Sequence, residues 1–413
     1  MSTFFIQGET LTNIGNAIRE KTGGADLINP TDMPEVIRGI SGGGGFPNST
    51  KWTQSNIKDD NIENIFNANG LWVAGGSKGV YYSTNGKEWE QSNVVGESIF
   101  AKDFVYGNGV WVATCGNHYG PYYSTDGKTW AQSNITKAMG WVYYSNGIFI
   151  ASDRTNIYRS TDGATWTQNK LPTNGCEQII NANGLWVAIS GSYKLYYSTD
   201  GNTWTQGTEI ESGASYCKYA DGMWIVKSNN KGIYCSTDGK TWTQSNYTSG
   251  FASCIAYANG VWVVYDENSG SYYSTDGITW TQGNIPSGQY PHYVTNIKGI
   301  WYMSCENSCY CSTDGKTWTP FTNLMGIEYL TYSNGVIIGM TYNPSTGMPR
   351  WAYSTDCKTW KYSDGASGVF VNTRDIVVSD STTNKTILNA DGIWVAGDHY
   401  NGTGLYYSVT WEA

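Results

Sequence analysis

Short runs rich in apolar and aromatic residues, separated by turn residues, recur along most of the chain. In residues 251–284 the predicted strands are Cys254–Ala258, Val261–Tyr265, Ser271–Thr275 and Thr279–Asn284. The first turn is Asn259-Gly260 and the last is Asp276-Gly277, while Gly270 separates the second and third strands. An Asn-Gly pair favours a type I′ hairpin because both positions accept a positive φ. The pattern predicts four antiparallel strands and lacks the 3.6-residue period of a helix.

This four-strand unit repeats with a period of about 38 residues through the middle of the chain. The first anchor, an Asn-Gly-like pair before an apolar aromatic pair, has its glycine at Gly70, Gly109, Gly147, Gly184, Gly222, Gly260, Gly299, Gly335 and Gly392. The second anchor, S-T-D-G-x-T-W, ends at Trp89, Trp130, Trp166, Trp204, Trp242, Trp280, Trp318 and Trp360. Four strands in a unit of this length are typical of a propeller blade. We expect an all-β propeller of about nine four-stranded blades, and an insertion near 361–385 leaves eight or ten as alternatives.

The two ends of the repeat region are complementary. Tyr406–Trp411 starts like the second anchor but lacks Asp-Gly, and Ser49–Asn56 reads as the tail of the same anchor, also without Asp-Gly. An N-terminal strand that completes the last blade would remove the open edge of the ring. We therefore expect residues 49–413 to close into one propeller.

The second anchor has a structural explanation. Its Asp can accept backbone N–H bonds within the turn, its Gly adopts a backbone conformation that other residues resist, and its Trp can fill the space between neighbouring sheets. Asn85 replaces the Asp in the first copy, and Phe149 and Ile337 replace the Trp of the second strand. We expect a structural role, not catalysis, for Asp126, Trp130, Asp162, Trp166, Asp200, Trp204, Asp238, Trp242, Asp276, Trp280, Asp314, Trp318, Asp356 and Trp360.

The same S-x-D-x-G-x-T-W phrase resembles the Asp-box of the sialidase and BNR-repeat propellers, over roughly residues 49–411. Sialidases of that family hold the substrate carboxylate with three arginines and carry an F/Y-R-I-P motif before the first box. No such motif precedes Trp52, and outside the first 40 residues the arginines are Arg154, Arg159, Arg350 and Arg374. Sialidase activity is therefore not expected. A glycoside hydrolase needs only two carboxylates on facing loops, so Asp266 or Glu267 with Glu306 keeps that alternative open.

The first 40 residues differ from the repeats. Leu11, Ile14 and Ile18 share one helical face, and Asp32 with Glu35 forms a capping box for a second short helix. Residues 41–48 are a Gly-rich linker. The stretch LTNIGNAIREKTGGADLINPTDMPEVIRGI (Leu11–Ile40) resembles a segment found in tail and minor structural proteins of phages that infect Gram-positive bacteria. The resemblance implies a helical tail-attachment module at 1–40 that binds other virion tail proteins, and two such short helices also allow homo-oligomer contacts.

Composition narrows the function classes. The net charge of −9 and the absence of Lys/Arg-rich runs argue against nucleic-acid binding. No stretch reaches the ~18 apolar residues of a membrane span, and the start lacks the features of a secretory signal. The nine cysteines occupy scattered repeat positions, which fits free thiols in a reducing cytoplasm. The three histidines fall on separate blades, and Cys311 of the Cys305, Cys309 and Cys311 set takes the place of a strand Tyr, so no metal, cofactor or catalytic residue is predicted.

Recognition is expected on one face of the disc. The first and third turns of a blade lie on the same face and are nearly identical between blades, whereas the second loop and the inter-blade connection lie on the opposite face and vary. Aromatic rings can stack on sugars, while carboxylates and amides bond sugar hydroxyls. The candidate ligand-binding residues on the variable face are Asn117, Tyr119, Tyr193, Asp266, Glu267, Asn268, Tyr342, Asn343, Asp398, His399 and Tyr400.

Together these features predict a phage tail fibre or receptor-binding protein. It would assemble in the host cytoplasm, reside in the virion tail, and recognise a host cell-surface carbohydrate through the variable propeller loops. The alternatives are a tail-associated glycoside hydrolase that cleaves a polysaccharide, and a structural tail or baseplate component without a glycan ligand.

Overall fold

The computed structural model describes residues 53–409 except 59, 96–100, 116–119, 154, 170, 172–174, 298, 306–307, 322–327, 334–335, 343–348, 355–359, 363–386, 391–392 and 398–404. The predicted attachment helices at 1–40 and the linker at 41–48 lie outside the described residues, so the domain boundaries there stay predictions.

The described residues form nine four-stranded antiparallel sheets, called blades 1–9 in chain order. Blade 1 contains β2 (Ile62–Ala68), β3 (Leu71–Gly76), β4 (Gly79–Ser83) and β5 (Glu90–Val95). Blade 2 contains β6 (Ala101–Gly107), β7 (Val110–Cys115), β8 (Tyr122–Ser124) and β9 (Ala131–Gln132). Blade 3 contains β10 (Trp141–Ser145), β11 (Ile148–Ser152), β12 (Ile157–Ser160) and β13 (Thr167–Asn169). Blade 4 contains β14 (Cys176–Ala182), β15 (Leu185–Ser190), β16 (Leu195–Ser198) and β17 (Thr205–Gln206). Blade 5 contains β18 (Ala214–Ala220), β19 (Met223–Ser228), β20 (Ile233–Ser236) and β21 (Thr243–Gln244). Blade 6 contains β22 (Ala252–Ala258), β23 (Val261–Asp266), β24 (Gly270–Ser274) and β25 (Thr281–Gln282). Blade 7 contains β26 (Pro291–Ile297), β27 (Ile300–Cys305), β28 (Cys309–Ser312) and β29 (Thr319–Phe321). Blade 8 contains β30 (Glu328–Ser333), β31 (Val336–Tyr342), β32 (Pro349–Ser354) and β33 (Lys361–Tyr362). Blade 9 contains β34 (Ile387–Ala390), β35 (Ile393–Gly397), β36 (Leu405–Val409) and β1 (Thr53–Gln54).

These sheets confirm the predicted all-β propeller with about nine four-stranded blades. In blades 1–8 the four strands pair in chain order, so each blade is a meander. In blade 6 the predicted strand bounds lie close to the observed ones. The third strand begins at Gly270, and the fourth strand is shorter than predicted, covering only Thr281–Gln282.

The first turn of each of blades 1–6 adopts the predicted hairpin geometry. In blade 1, Asn69 has φ of 50° and Gly70 has φ of 71°, and blade 6 repeats this with 51° at Asn259 and 77° at Gly260. Two successive left-handed residues match the twist of a type I′ hairpin. We call these the NG turns, and the turns built by S-T-D-G-x-T-W the DG turns.

The N-terminal strand closes the ring, as the two incomplete anchors predicted. β1 pairs with β36, with Thr53 opposite Tyr407. Beyond the strand, Ser55 N–H donates to the Leu405 carbonyl at 2.8 Å, and the N–H of Leu405 donates to the Ile57 carbonyl at 3.1 Å. Blades 9 and 1 share one apolar cluster, in which Val395 packs with blade 1 residues. Closure pairs β36 with β1 and gives blade 9 the same four strands as the other blades.

The interfaces from blade 9 through blade 1 to blade 8 are apolar layers centred on the second strand. Trp72, Trp111, Trp186, Trp262 and Trp301 are fully buried there. Phe149 and Ile337 are buried at the same position in blades 3 and 8, so an apolar side chain of any shape satisfies it. Burying a side chain of this size contributes about 2–3 kcal/mol or more. The core is thus a circle of sheet-on-sheet layers.

Candidate functional site

The DG turns are rigid structural units. In blade 2, Ser124 Oγ accepts from the Gly127 N–H at 2.8 Å and donates to Asp126 Oδ1 at 2.9 Å. The same Asp126 oxygen accepts from the N–H groups of Lys128 and Thr129, both at 2.8 Å. The turns of blades 3–7 repeat this pattern. The carboxylate is therefore occupied by its own turn.

These hydrogen bonds also hold the turn carboxylates ionised. The N–H groups of Thr203 and Asn202 lower the pKa of Asp200 to about 2. The pKa of each corresponding carboxylate lies below its usual value too, at Asp126, Asp162, Asp238, Asp276 and Asp314. A structural role for these residues accounts for both the geometry and the titration.

In blades 2–7 the DG turn packs beside the NG turn of the preceding blade, so both turns share one face of the ring. A Cβ at Gly127 would lie 2.4 Å from Leu71 of blade 1, and one at Gly239 would lie 2.6 Å from Leu185 of blade 4. Gly127 also has φ of 72°. The positive φ is the condition that requires glycine here. We call this face the template face.

A side-chain clamp that the sequence interpretation missed joins neighbouring blades. An Asn that lies within the outermost strand of one blade, or two residues beyond it, bonds through its amide to the backbone of the Trp in the next DG turn. Asn93 Oδ1 accepts from the Trp130 N–H at 2.8 Å, and its Nδ2 donates to the Trp130 carbonyl at 2.8 Å. The other pairs are Asn56–Trp89, Asn134–Trp166, Asn246–Trp280 and Asn284–Trp318. In the sequence, each of these asparagines stands four residues after a Trp of the second anchor, in the pattern W-x-Q-S/G-N, and that repeated pattern could have indicated the clamp.

Among the described residues, no such Asn–Trp pair occurs on either side of blade 4. At the next junction Thr208 stands in place of Asn, and its hydroxyl accepts from the Trp242 N–H at a long 3.4 Å. Before blade 4, Asn169 bonds the Gly201 carbonyl instead. The indole N–H groups of Trp204 and Trp242 have no partner, whereas that of Trp130 donates to the Gly127 carbonyl. Blade 4 is therefore attached differently from its neighbours.

The opposite face, called the loop face, is made of the second loop of each blade and the connections between blades. These segments bond one another: the Ala214 N–H donates to the Tyr193 carbonyl at 2.7 Å, and the Glu267 N–H donates to the Phe251 carbonyl at 3.2 Å. Gly288 N–H in turn donates to the Glu267 carbonyl at 3.0 Å. Loops and connections from blade 4 to blade 7 thus form one continuous surface.

Exposed apolar side chains concentrate on this face. Among the described residues the large exposed ones are Val95, Tyr193, Phe251, Ile278 and Tyr290, and only Ile278 belongs to the template face. Tyr193, Phe251 and Tyr290 are 48%, 56% and 59% exposed. Tyr193 has φ of 62° and Tyr290 has φ of 48°. A bulky residue rarely adopts this conformation, and such outliers cluster at ligand sites.

The predicted ligand residues fall into three groups. Tyr193 is exposed in the second loop of blade 4, and Glu267 and Asn268 are exposed in that of blade 6. Asp266 is buried. The strand of Tyr342 is described but not its side chain, and the remainder lie outside the described residues: Asn117, Tyr119, Asn343, Asp398, His399 and Tyr400. The blade 4 and blade 6 candidates belong to loops two blades apart.

The placement of Asp266 differs from the sequence expectation. Its side chain is 0% exposed, and Oδ1 accepts from the N–H groups of Asn268 and Ser269 at 2.9 and 2.8 Å. The Tyr247 hydroxyl donates to Oδ2. Burial alone favours the neutral acid, but hydrogen bonds from Ser249, Tyr247, Ser269 and Asn268 outweigh it and lower the pKa of Asp266. This carboxylate organises its loop and faces no ligand.

Two exposed aromatic residues were missed by the sequence interpretation. Phe251 and Tyr290 lie in connections between blades, each directly before an innermost strand. An apolar residue beside a strand reads as part of that strand, so its exposure was not evident. The comparison between blades drew on the second loops and thus overlooked the connections.

The described residues contain no group of three or more His, Cys, Asp or Glu side chains placed to hold a metal ion. Within the same residues, no helix is long and apolar enough to cross a bilayer. All eight described cysteines are free thiols, and burial raises the pKa of Cys115 and Cys176 to about 12. Those thiols stay protonated at neutral pH and are unreactive.

Comparison with known proteins supports the fold alone. The computationally designed Ika8 protein superposes with a TM-score of 0.52 at 7% identity, covering 88% of this chain and 100% of that one. Sqt1 of Saccharomyces cerevisiae gives a TM-score of 0.50 at 11% identity, with 72% and 96% covered. No protein-family model and no curated protein sequence matches the chain. The class defined by the structure is therefore the multi-blade β-propeller.

Proposed function

We propose that this chain is a receptor-binding protein of a phage tail, which recognises host cell-surface carbohydrate through the loop face of its propeller. The observation that carries the proposal is the set of exposed aromatic side chains, Tyr193, Phe251 and Tyr290, on that face. The template face is built from repeated turns whose polar groups bond one another. Loops on a rigid scaffold are where binding residues concentrate.

The chemistry of the loop face suits a glycan. Exposed aromatic rings offer flat apolar surfaces at low conformational cost, and Tyr adds a polar hydroxyl. Around them lie exposed polar groups such as Glu267, Asn268 and Ser192, which can bond hydroxyls. Two of the three rings are held in a left-handed backbone conformation, at a cost of about 1–3 kcal/mol each, and a ligand-binding role would explain its persistence.

The phage assignment depends on the N-terminal resemblance. Residues 11–40 would attach the propeller to other tail proteins, with homo-oligomer contacts through the same helices. Several copies on one particle would convert weak single-site binding into firm attachment by avidity. The free, buried thiols support folding in a reducing host cytoplasm before assembly into the tail.

No observation favours the glycoside hydrolase. Of its proposed acids, Asp266 is fully buried and hydrogen-bonded within its loop, and Glu306 lies outside the described residues. The structural-component alternative predicts no glycan binding at all, so one experiment separates it from our proposal.

The test is adsorption of the purified full chain to host cells and to an array of bacterial surface glycans. Phe251→Ser and Tyr290→Ser should each reduce binding by at least tenfold. Ile278→Ser is the matched control, because Ile278 is a similarly exposed apolar residue, 46% exposed, on the template face. Its binding should equal that of the unmodified chain.

Two results would overturn the proposal. If no cell or glycan is bound while the chain is folded, recognition of a carbohydrate is wrong. If Ile278→Ser abolishes binding and the loop-face variants do not, the template face is the binding surface.

A further inference from the structure

A cavity of about 550 Å³ opens on the loop face at the junction of blades 4 and 5. The second loop of blade 4 supplies Ser192, Tyr193 and Lys194 to its wall, and Gln206 and Thr208 come from the outer strand and the connection that follows. The remaining wall is formed by residues 209–213 of the same connection. Two segments that are tied together at Tyr193 thus form the wall of this open cleft.

The conformation of Tyr193 is fixed by its neighbours. Its N–H donates to the Ser190 carbonyl at 2.8 Å, and its carbonyl accepts from the Ala214 N–H at 2.7 Å. A Cβ at Gly213 would lie 2.6 Å from the Tyr193 Cβ, so only glycine allows this approach. The ring is therefore presented at the cavity by a rigid loop.

Gln206 is the second feature of this blade that bears on the cavity. In blades 5 and 6 the equivalent glutamines close their own loops: Gln244 Nε2 donates to the Lys231 carbonyl and Gln282 Nε2 to the Ser269 carbonyl, both at 2.7 Å. Gln91 does the same in blade 1 at 3.2 Å. Within the described residues, Gln206 makes no side-chain hydrogen bond. In blade 4 the equivalent carbonyl, that of Tyr193, accepts from the Ala214 N–H, and the Gln206 amide is free at the cavity.

The charges around the cavity compensate one another. Glu211 is paired with Lys231 at 2.8 Å, and the remaining charged residues of the wall are Lys194 and Glu209. The chain as a whole carries a net charge of −9. An anionic ligand would gain no net attraction here and would be repelled by the distant field.

We propose that this cavity is the subsite that grips an uncharged, hydroxyl-rich sugar residue, with the Tyr193 ring against its apolar face and the Gln206 amide bonded to its hydroxyls. This inference rests on the proposed function, since it names the ligand class and the anchoring point of the same surface. A free amide beside a rigid aromatic ring provides a donor, an acceptor and a stacking plane in one place.

The experiment is calorimetric titration of the full chain with three probes: neutral oligosaccharides of hexose and N-acetylhexosamine, oligogalacturonate as the carboxylate-bearing probe, and polyribitol phosphate as the phosphate-bearing probe. The neutral probes should bind, with affinity unchanged within twofold between 20 and 500 mM NaCl. The charged probes should bind at least tenfold more weakly. A neutral contact is insensitive to salt because screening acts only on charges.

The variants locate the subsite. Gln206→Ala and Tyr193→Gly should each weaken binding of the neutral probe at least tenfold. Gln244→Ala is the matched control, since that amide is committed to its own loop, and its affinity should stay within twofold. Circular dichroism of every variant establishes that the blades are intact, so a loss of affinity is not a loss of fold.

The outcomes separate this inference from the proposed function. Binding of a glycan that Phe251→Ser abolishes but Gln206→Ala and Tyr193→Gly leave unchanged overturns the subsite and keeps the function. A preference for either charged probe, weakened by salt, also overturns it. No binding of any saccharide overturns the proposed function itself.

Discussion

The Asn93 side chain of blade 1 forms a two-bond amide pair with the backbone of Trp130 in blade 2, with both N···O distances at 2.8 Å. The pair joins consecutive sheets at a point where no strand pairs with another. It satisfies backbone groups that the DG turn leaves open, and it fixes the Trp that seals the interface. With this pair included, the arrangement occurs at five described junctions, and one of these is the 9/1 junction, where Asn56 extends it across the point of ring closure.

Asn93→Ala should lower the free energy of unfolding by about 1–3 kcal/mol, because a partly buried N–H and C=O lose their partners. Urea unfolding followed by Trp fluorescence measures the change, and hydrogen exchange should accelerate at the Trp130 amide. Thr84→Ala, an exposed substitution in the same blade, serves as the control. An Asn93→Ala chain as stable as the control would show that the clamp contributes nothing.

Thr208→Asn should install the missing clamp at the junction of blades 4 and 5. The present hydroxyl contacts to the Trp242 N–H and the Lys240 carbonyl are both long, at 3.4 Å. Replacing them with a two-bond amide pair should raise stability by about 0.5–1.5 kcal/mol. The measurement is the midpoint of thermal unfolding, which should shift to higher temperature. An unchanged or lower midpoint would mean that the junction is adapted to Thr.

Stability should fall as the pH drops below about 4, since an unfolded Asp titrates near 3.9. The folded pKa of Asp200 is depressed to about 2, so its contribution is complete above the unfolded pKa and disappears as the pH falls through the folded one. Asp200→Asn should reduce this acid sensitivity. The amide of Asn85 already accepts the N–H groups of Lys87 and Glu88 in the same geometry, both at 2.9 Å.

Asn85→Asp provides the converse change, because it adds a titrating carboxylate to a turn that lacks one. Its thermal midpoint should depend more steeply on pH between about 4 and 2 than that of the unmodified chain. Identical pH profiles for all three proteins would contradict a role of the turn carboxylates in acid stability.

Tyr193→Gly should leave stability unchanged or raise it by up to about 1 kcal/mol, because glycine adopts φ near 62° without strain. Tyr193→Val should lower it, since a β-branched residue tolerates that conformation poorly. Urea denaturation of both variants measures the difference. If glycine is clearly destabilising, the Tyr193 ring supports the fold, and the strain needs no functional explanation.

Local chemistry made much of the fold predictable. Asn-Gly and Asp-Gly pairs specify turns through φ values that few residues accept, and their repetition revealed the blades without knowledge of any long-range contact. The complementary ends, Ser49–Asn56 and Tyr406–Trp411, similarly indicated that β1 completes blade 9, and the structure confirms that pairing.

The loop face was less predictable, because burial there depends on contacts between blades. Asp266 read as an exposed loop acid, yet Tyr247 from the preceding connection covers it. Phe251 was not among the predicted ligand residues, yet it is 56% exposed.

The sequence by itself determined the all-β class, the blade repeat, its turns and the closure of the ring, because each follows from residues close together in the chain or from one motif repeated. Only the tertiary structure decided that Asn93 clamps Trp130, that Asp266 is enclosed, and that Gln206 is left free beside Tyr193. Those outcomes depend on which side chains neighbouring blades bring into contact, and the sequence of one repeat does not specify its contacts with the next.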